Sequence, residues 1–236
     1  MNAGWVLVAG LLLAGGCASS GREETPVEEH WEIFTIDGEH VGYSQQRSRP
    51  LDVIDSITES LTVFRMGEQT IRAEFFYEWG RNGPAAWHAF GYKDGDEVAR
   101  WYRNGKFLNP SSKGWSLVVG FDYNEYPTQV IDPLIERAVK AGGTIEFISI
   151  VEGTGKTRRA EMVVAGMESV KLFDGSQRML RRVEERIDGK VGRRFWIDEK
   201  GQRIVTNYNG PVAYRASEAE ARRGCPKDWP TLDSGR

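Results

Sequence analysis

The sequence is poor in the residues that most often build metal centres and disulfide frameworks. Its 236 residues include two cysteines, Cys17 and Cys225, and three histidines, His30, His40 and His88. The histidines lack the spacing of zinc ligands, and no pair of cysteines has the spacing that zinc sites use. The sequence therefore predicts no metal site, and we expect no cofactor.

The sequence also has little excess of one charge sign over the other. The formal net charge is −3, and residues 22–29 account for all of it with one arginine and four glutamates. Residues 1–16 have no charged side chain, so the body of the chain is close to neutral. Because nucleic-acid binding depends on a basic surface, we expect no nucleic-acid partner.

A hydrophobic run long enough to cross a membrane is missing as well. The apolar stretch at residues 3–16 has about 14 residues, whereas a transmembrane helix needs about 20. This length is typical of a signal-peptide core. The stretch ends in Leu13-Ala14-Gly15-Gly16-Cys17, which resembles the bacterial lipobox. The resemblance implies that residues 1–16 are removed and that Cys17 is lipidated. An uncleaved short anchor helix and a secretory signal without lipid are the alternatives.

Residues 17–30 are predicted to form a flexible tether that begins with the lipidated cysteine. They are polar and acidic, and Pro26 lies among them. Ala18 and Ser19, rather than aspartate, follow the cysteine. By resemblance to the sorting rule of enteric bacteria, this implies the outer membrane. The expected location is the cell envelope, with the domain facing the periplasm and a membrane as partner through the lipid anchor.

Short runs with a period of two dominate residues 31–223, which we interpret as a single domain. In Thr70–Trp79, apolar residues alternate with charged ones, and turn signals such as Asp94-Gly95 separate the runs. The predicted strands are Trp31–Ile36, His40–Ser48, Val53–Phe64, Thr70–Trp79, Ala85–Tyr92, Glu97–Tyr102, Trp115–Val119, Thr144–Val151, Arg158–Ala165, Ser169–Phe173, Ser176–Ile187, Arg193–Ile197 and Gln202–Tyr208.

One clear helix interrupts the strands. It is predicted over Pro133–Ala141, with Asp132 as its N-cap and Gly142-Gly143 as its end. Ser217–Glu220 matches a capping box that opens a second, short helix. Residues 224–236 are polar and are predicted to form a loose tail.

This series of elements predicts a mainly β (α+β) fold. A sheet of about ten or more strands must curl, close or split. We therefore expect a large curved antiparallel sheet in the form of a half-barrel, with one central helix and a short C-terminal helix. Either the central helix or a ligand fills the space that the concave face encloses.

Three segments carry a resemblance to a known superfamily. They are Asp37–Tyr43 (DGEHVGY), Gly166–Val170 (GMESV) and Phe195–Gly201 (FWIDEKG). In order and spacing they resemble the lipoprotein-localisation-factor superfamily, whose members are curved antiparallel half-barrels around helices and bind acyl chains in the hollow. With the helix, the resemblance covers most of residues 31–215. It implies the fold and a hydrophobic ligand, and it transfers no catalytic residue.

No catalytic constellation stands out, and we assign no catalytic residue. No serine lies in a nucleophile elbow, and Cys225 follows the last predicted helix beside Pro226. Carboxylates are scattered, with Asp122, Glu125 and Asp132 near the start of the helix. A hydrolase of cell-wall or lipid material is thus a third hypothesis behind two non-enzymatic ones.

The non-enzymatic hypotheses differ in what fills the concave face. In the first, the face binds a lipid, another hydrophobic ligand or a carrier cargo. In the second, the core is filled and the domain is a structural or protein-interaction module in envelope assembly. The residues predicted to form the hydrophobic-ligand face are Phe75, Tyr77, Trp79, Trp87, Trp101, Trp115, Leu134, Ile135 and Trp196.

Overall fold

The computed structural model describes residues 27–50, 56–80, 83–104, 107–110, 119–120, 125–151 and 156–232. Within these residues the fold is mainly β, with fifteen strands in one sheet and two helices. The strands are β1 Glu28–Ile36, β2 Glu39–Pro50, β3 Ser56–Met66, β4 Gln69–Gly80, β5 Gly83–Lys93, β6 Asp96–Asn104, β7 Phe107–Pro110, β8 Val119–Gly120, β9 Glu125–Pro127, β10 Thr144–Val151, β11 Lys156–Lys171, β12 Gln177–Ile187, β13 Lys190–Ile197, β14 Arg203–Asn207 and β15 Val212–Ala216. The helices are α1 Asp132–Ala141 and α2 Glu218–Ala221.

Two runs of neighbouring strands build the sheet. One run extends from β1 to β8, the other extends from β15 back to β9, and β1 pairs with β15 between them. Among the strands described, β8 and β9 are the two edges, so the sheet is not closed. The prediction of a wholly antiparallel sheet is wrong at one pair, because β9 runs parallel to β10. A parallel pair needs a crossover connection, and the segment containing α1 supplies it.

The sheet is strongly curved. In strand order β4 lies nine steps from β10, and a flat sheet would separate them by roughly 40 Å. Instead, Phe75 and Tyr77 of β4 belong to the same buried cluster as Phe147 of β10 and Leu134 of α1. We call the face that carries this cluster and α1 the concave face, and the opposite face the convex face.

Several strands differ from the sequence-based expectation, and three of the differences are instructive. His30 was expected in the tether, but β1 already begins at Glu28. The two strands predicted over residues 158–173 are one strand, β11, because a bulge between Val164 and Met167 absorbs the irregular segment without ending the pairing. β15 was not predicted; its five residues follow a turn around Asn209 and Gly210.

Helix α1 begins differently from the prediction. Its N-cap is Ile131, which makes no side-chain cap, and Asp132 is the first residue of the helix. The Asp132 carboxylate is instead engaged by side chains of the sheet, as described below. The helix ends at Gly142, whose left-handed conformation (φ 68°) lets its N–H reach the carbonyls of the last turn.

The C-terminal segment is not a loose tail in the part that the structure describes. Residues 224–232 lie on the convex face, where Trp229 and Leu232 pack against a buried cluster that includes Trp31, Tyr43 and Leu61. The Tyr43 hydroxyl donates to the carbonyl of Pro230 at 2.6 Å, and the Leu232 N–H donates to the Gln45 side chain at 2.8 Å. Burial of these aromatic groups outweighs the polar character of the segment.

Gly42 is where two neighbouring strands approach too closely for a side chain. A Cβ at this position would lie 2.0 Å from the carbonyl oxygen of Val63 and 2.6 Å from Cα of Phe64. Both atoms belong to the backbone of β3, so a flexible side chain cannot relieve the overlap. We expect Gly42→Ala to lower the free energy of unfolding by about 3 kcal/mol, the upper end of overpacking effects, as measured by urea denaturation.

Gly192 provides the matched control, since a Cβ there meets its nearest neighbour at 3.7 Å. Gly192→Ala in β13 should leave stability unchanged or slightly higher, because alanine restricts the unfolded chain more than glycine does. Equal stability of the two variants would contradict the close approach at Gly42.

Candidate functional site

Six of the residues predicted to face a hydrophobic ligand come together on the concave face. Phe75, Tyr77, Trp87, Leu134 and Ile135 are buried there in one cluster, and Trp79 packs against it while remaining half-buried. Trp87 is fully buried, and Leu134 and Ile135 are each 2% exposed. The described part of this region is therefore a packed core in which α1 fills the curve of the sheet.

Of the other predicted site residues, the structure places the side chain of Trp196, and it lies away from this cluster. Trp196 pairs in register with Val205, and Val205 pairs with Tyr214. This series lies on the convex face, where Trp196 packs beside Leu180 and Ile204. Cys17 and Trp115 lie outside the described residues, and for Trp101 only its backbone position in β6 is described.

A group of charged and polar side chains adjoins the packed core on the concave face. We call Arg203, Glu32, Asp132, Gln46 and His30 the Arg203 cluster. They come from β14, β1, α1 and β2. In register, His30 pairs with Gln46, Gln46 with Ser60, and Ser60 with Phe75, so the cluster shares a face with the core.

Arg203 holds the cluster together. Its guanidinium lies 3.5 Å from the Glu32 carboxylate and 3.1 Å from that of Asp132. It also donates to Thr206 at 3.3 Å and to the Gln46 side-chain oxygen at 3.4 Å, and the Gln46 amide donates to Asp132 at 2.9 Å. The cluster therefore joins the first turn of α1 to strands on both sides of the β1–β15 pair.

The charges in the cluster compensate one another. Burial penalises ionised Asp132, but Arg203, His30 and the Gln46 hydrogen bond outweigh it and lower the pKa of this carboxyl. Burial alone would lower the pKa of the Arg203 guanidinium, yet the two carboxylates raise it overall. Both groups are thus held in their charged forms.

Three members of the cluster, Asp132, Gln46 and His30, remain partly accessible to solvent. The side chains of Arg203 and Glu32 are 6% and 5% exposed, but that of Asp132 is 35% exposed although its partners come from two separate strands. Hydroxyl-bearing side chains continue along the same face of β2 and β3, and all of them are half-buried except Thr58, which is 3% exposed. We call the Arg203 cluster together with these residues the polar recess. Its further members are Ser44, Ser48, Thr58, Ser60 and Thr62.

The sequence patterns did not reveal this recess. The signal was present in β1, where Glu32 is the only charged residue in the run Trp31–Ile36. An acid inside a strand buried on both faces needs a partner, and this requirement pointed to an arginine elsewhere. Periodicity alone could not select Arg203 among the many arginines, because the two residues are far apart along the chain.

His30 should make stability depend on pH. Burial lowers the pKa of His30 below its ordinary value of 6.5, and Glu32 opposes this effect without reversing it. The unfolded chain then binds the proton more readily, so stability is fully present above about pH 6.5 and falls as pH drops toward the folded pKa. We expect His30→Gln to flatten the stability profile between pH 7 and 5, as measured by urea denaturation.

His88 serves as the control because it is exposed on β5. His88→Gln should keep the slope of the wild-type profile. A His30→Gln profile as steep as that of the wild type would contradict the burial of this imidazole in its neutral form.

The described residues hold no group of three or more His, Cys, Asp or Glu side chains arranged for a metal ion. Cys225 is a free thiol, half-buried, with its Sγ 3.8 Å from the Ala221 carbonyl and 3.9 Å from His40 Nε2. Burial raises the pKa of the Cys225 thiol, which disfavours the reactive thiolate. In the part of the chain described, no helix is both long and apolar enough to cross a bilayer.

Comparisons with known proteins support the fold and do not extend to function. No protein family and no curated protein matches the sequence. The chain is similar to a crystal structure described as a beta-barrel-like protein of domain of unknown function DUF1849 from Brucella abortus. The two have a TM-score of 0.55 and 12% sequence identity over 82% of this chain and 96% of that chain. This likeness supports a curved, barrel-like β fold, and it does not single out the lipoprotein-localisation factors.

Proposed function

We propose that this chain is an exported envelope lipoprotein, anchored to the outer membrane through Cys17, whose β domain is a non-enzymatic binding module. The lipobox-like sequence before Cys17 supports the anchor. The observation that carries the binding role is the polar recess, in which partly exposed Asp132 is held by buried Arg203. Polar groups held in fixed positions on a concave face are what orients a ligand in a binding site.

The ligand is assigned to the polar recess rather than to the apolar side of the concave face. An acyl chain beside α1 would have to displace side chains as deeply buried as Trp87, Leu134 and Ile135. Separating them would expose apolar surface and leave cavities, each at a cost of several kcal/mol. The hydrophobic-ligand hypothesis therefore requires α1 to move, whereas a polar ligand does not.

The anchor is tested by labelling cells that express the full chain with an alkyne analogue of palmitate. We expect the wild-type chain to carry the label and to sediment with membranes, and Cys17→Ser to lose both properties. An unlabelled wild-type chain in the soluble fraction would overturn the lipid anchor. Label that persists in Cys17→Ser would assign the lipid to another residue.

The binding role is tested by NMR on the full chain with water-soluble envelope extract and with palmitate as separate additions. Binding in the recess should shift the side-chain amide of Gln46 and the ring of His30, and leave the buried indole of Trp87 unchanged. A shift of Trp87 by palmitate would favour an acyl site beside α1 instead. If neither addition perturbs the concave face, the domain is better explained as a protein-interaction module in envelope assembly.

A further inference from the structure

We propose that the polar recess binds a neutral, hydroxyl-rich ligand of the carbohydrate class. This inference rests on the binding role proposed above and names the chemistry of its ligand. Three properties of the recess lead to it: the hydroxyl pairs along β2 and β3, the balance of charge in and around the Arg203 cluster, and an indole at one end.

The hydroxyl pairs supply donors and acceptors together. Ser44 and Thr62 lie 3.0 Å apart, and Ser48 and Thr58 lie 2.9 Å apart, each pair joining β2 to β3. In each pair either oxygen can be the donor. Ser44, Thr62 and Ser48 are half-buried, so their hydroxyl groups keep capacity for another molecule, whereas Thr58 is 3% exposed and also bonds to Tyr77. Sugar hydroxyls have the same dual capacity, whereas a carboxylate or phosphate only accepts and an ammonium group only donates.

Among the residues that the structure describes, the charged side chains of the recess and its surroundings balance one another. Arg203 is compensated by Glu32 and Asp132, and Arg215 pairs in register with Glu32 on the same face. Farther along the concave face, Arg193 and Glu185 form their own pair at 2.6 Å. The lowered pKa of His30 keeps this imidazole neutral at pH 7. An ionic ligand would lose hydration without meeting an uncompensated opposite charge, so the recess favours an uncharged one.

Trp79 provides an apolar surface at one end of the recess. It pairs in register with Ser56, two residues from Thr58, on the concave face. One side of its ring stacks on Tyr126 at a centroid distance of 5.9 Å, and the side chain is only half-buried. Aromatic faces can pack against the C–H face of a sugar ring while the neighbouring hydroxyl groups bind its polar edge. Along β3, Ser60 and Ser56 are roughly 13 Å apart, a span longer than a single sugar ring.

Calorimetry on the full chain, in a detergent without a sugar headgroup, tests the inference. The probes are two neutral oligosaccharides, chitotetraose and maltotetraose, a cationic chitosan tetramer and anionic tetragalacturonate. We expect at least one neutral probe to bind at least tenfold more tightly than either charged one. Trp79→Ala and the double variant Ser44→Ala/Ser48→Ala should each weaken that binding at least tenfold.

Ser169→Ala is the control variant, because its hydroxyl bonds to Gln177 in the exposed β11–β12 hairpin away from the recess. It should bind the neutral probe as the wild type does. If neither neutral probe binds, or if a charged probe binds as tightly, the carbohydrate inference is overturned. The binding role and the carbohydrate inference can fail separately. If no oligosaccharide binds but envelope extract still shifts the NMR signals of Gln46 and His30, the binding role is retained and the ligand belongs to another chemical class.

Discussion

Replacing Arg203 with methionine is expected to lower the free energy of unfolding by about 3–5 kcal/mol, the usual effect of breaking a buried ion pair. The substitution keeps an unbranched side chain in place but removes the positive charge that contacts both Glu32 and Asp132. Glu32 is 5% exposed, so its charge would remain buried without compensation. Urea denaturation at pH 7 measures the change.

The control for this prediction is Arg100→Met. Arg100 forms a salt bridge with Glu97 at 2.6 Å, shorter than either contact of Arg203, but its side chain is 45% exposed. Exposed pairs contribute about 0–1 kcal/mol, so this variant should be close to the wild type. A similar loss of stability in Arg203→Met and Arg100→Met would contradict the view that the burial of a salt bridge, rather than its length, determines its contribution to stability.

A triple variant distinguishes the two possible causes of the stability loss in Arg203→Met, namely uncompensated charge and lost packing. In Arg203→Met, adding Glu32→Gln and Asp132→Asn removes the two negative charges that have lost their partner. We expect the triple variant to regain part of the lost stability, because neutral amides cost less to bury than carboxylates. A further loss would indicate that the carboxylates have other partners strong enough to hold them without Arg203.

Replacing Leu134 with alanine is expected to destabilise the protein by about 2–5 kcal/mol, as do other truncations of buried leucine. Leu134 is 2% exposed on α1 and belongs to the cluster that joins β4, β5 and β10. The truncation removes apolar contacts and leaves a cavity between the helix and the sheet. Because the prediction depends on a filled concave face, it also decides between a packed core and a hollow.

Leu134→Met provides the matched control, since volume-conserving exchanges in cores usually cost less than about 1.5 kcal/mol. If Leu134→Ala were nearly as stable as the wild type, side chains around α1 would not be packed as the structure has them. An acyl-chain site in the concave face would then regain support. Denaturation with and without palmitate would reveal such a site as a ligand-dependent rise in stability.

Local sequence patterns located most of the architecture. The alternation in β4 and the turn at Asp94-Gly95 predicted strands that the structure contains, because side-chain direction in a strand depends only on neighbouring residues. The same patterns failed at β15, which is five residues long, and in β9, which pairs with β10 only through a crossover. Short strands carry too few alternations to be distinguished from loops.

The candidate site, unlike the strands, could not be predicted from local sequence patterns. Phe75, Tyr77, Trp79 and Trp87 were correctly attributed to the concave face, but Trp196 lies on the convex face. Sequence also could not decide between a hollow and a filled space. That choice depends on where α1 lies relative to β4, and the two are far apart along the chain. The polar recess depends even more on tertiary structure, since Glu32, Asp132 and Arg203 meet only after the sheet has curved.

The sequence by itself determined the mainly β class, the position of α1 and the expectation of a lipidated Cys17, because each depends on residues within a few positions of one another. Only the tertiary structure decided that α1 fills the apolar side of the concave face and that buried charges mark the remaining side. The physical reason is that the curvature of the sheet and the burial of a side chain depend on many residues that are distant along the chain. A charge such as that of Glu32 is tolerable inside the sheet only when a distant arginine arrives to compensate it.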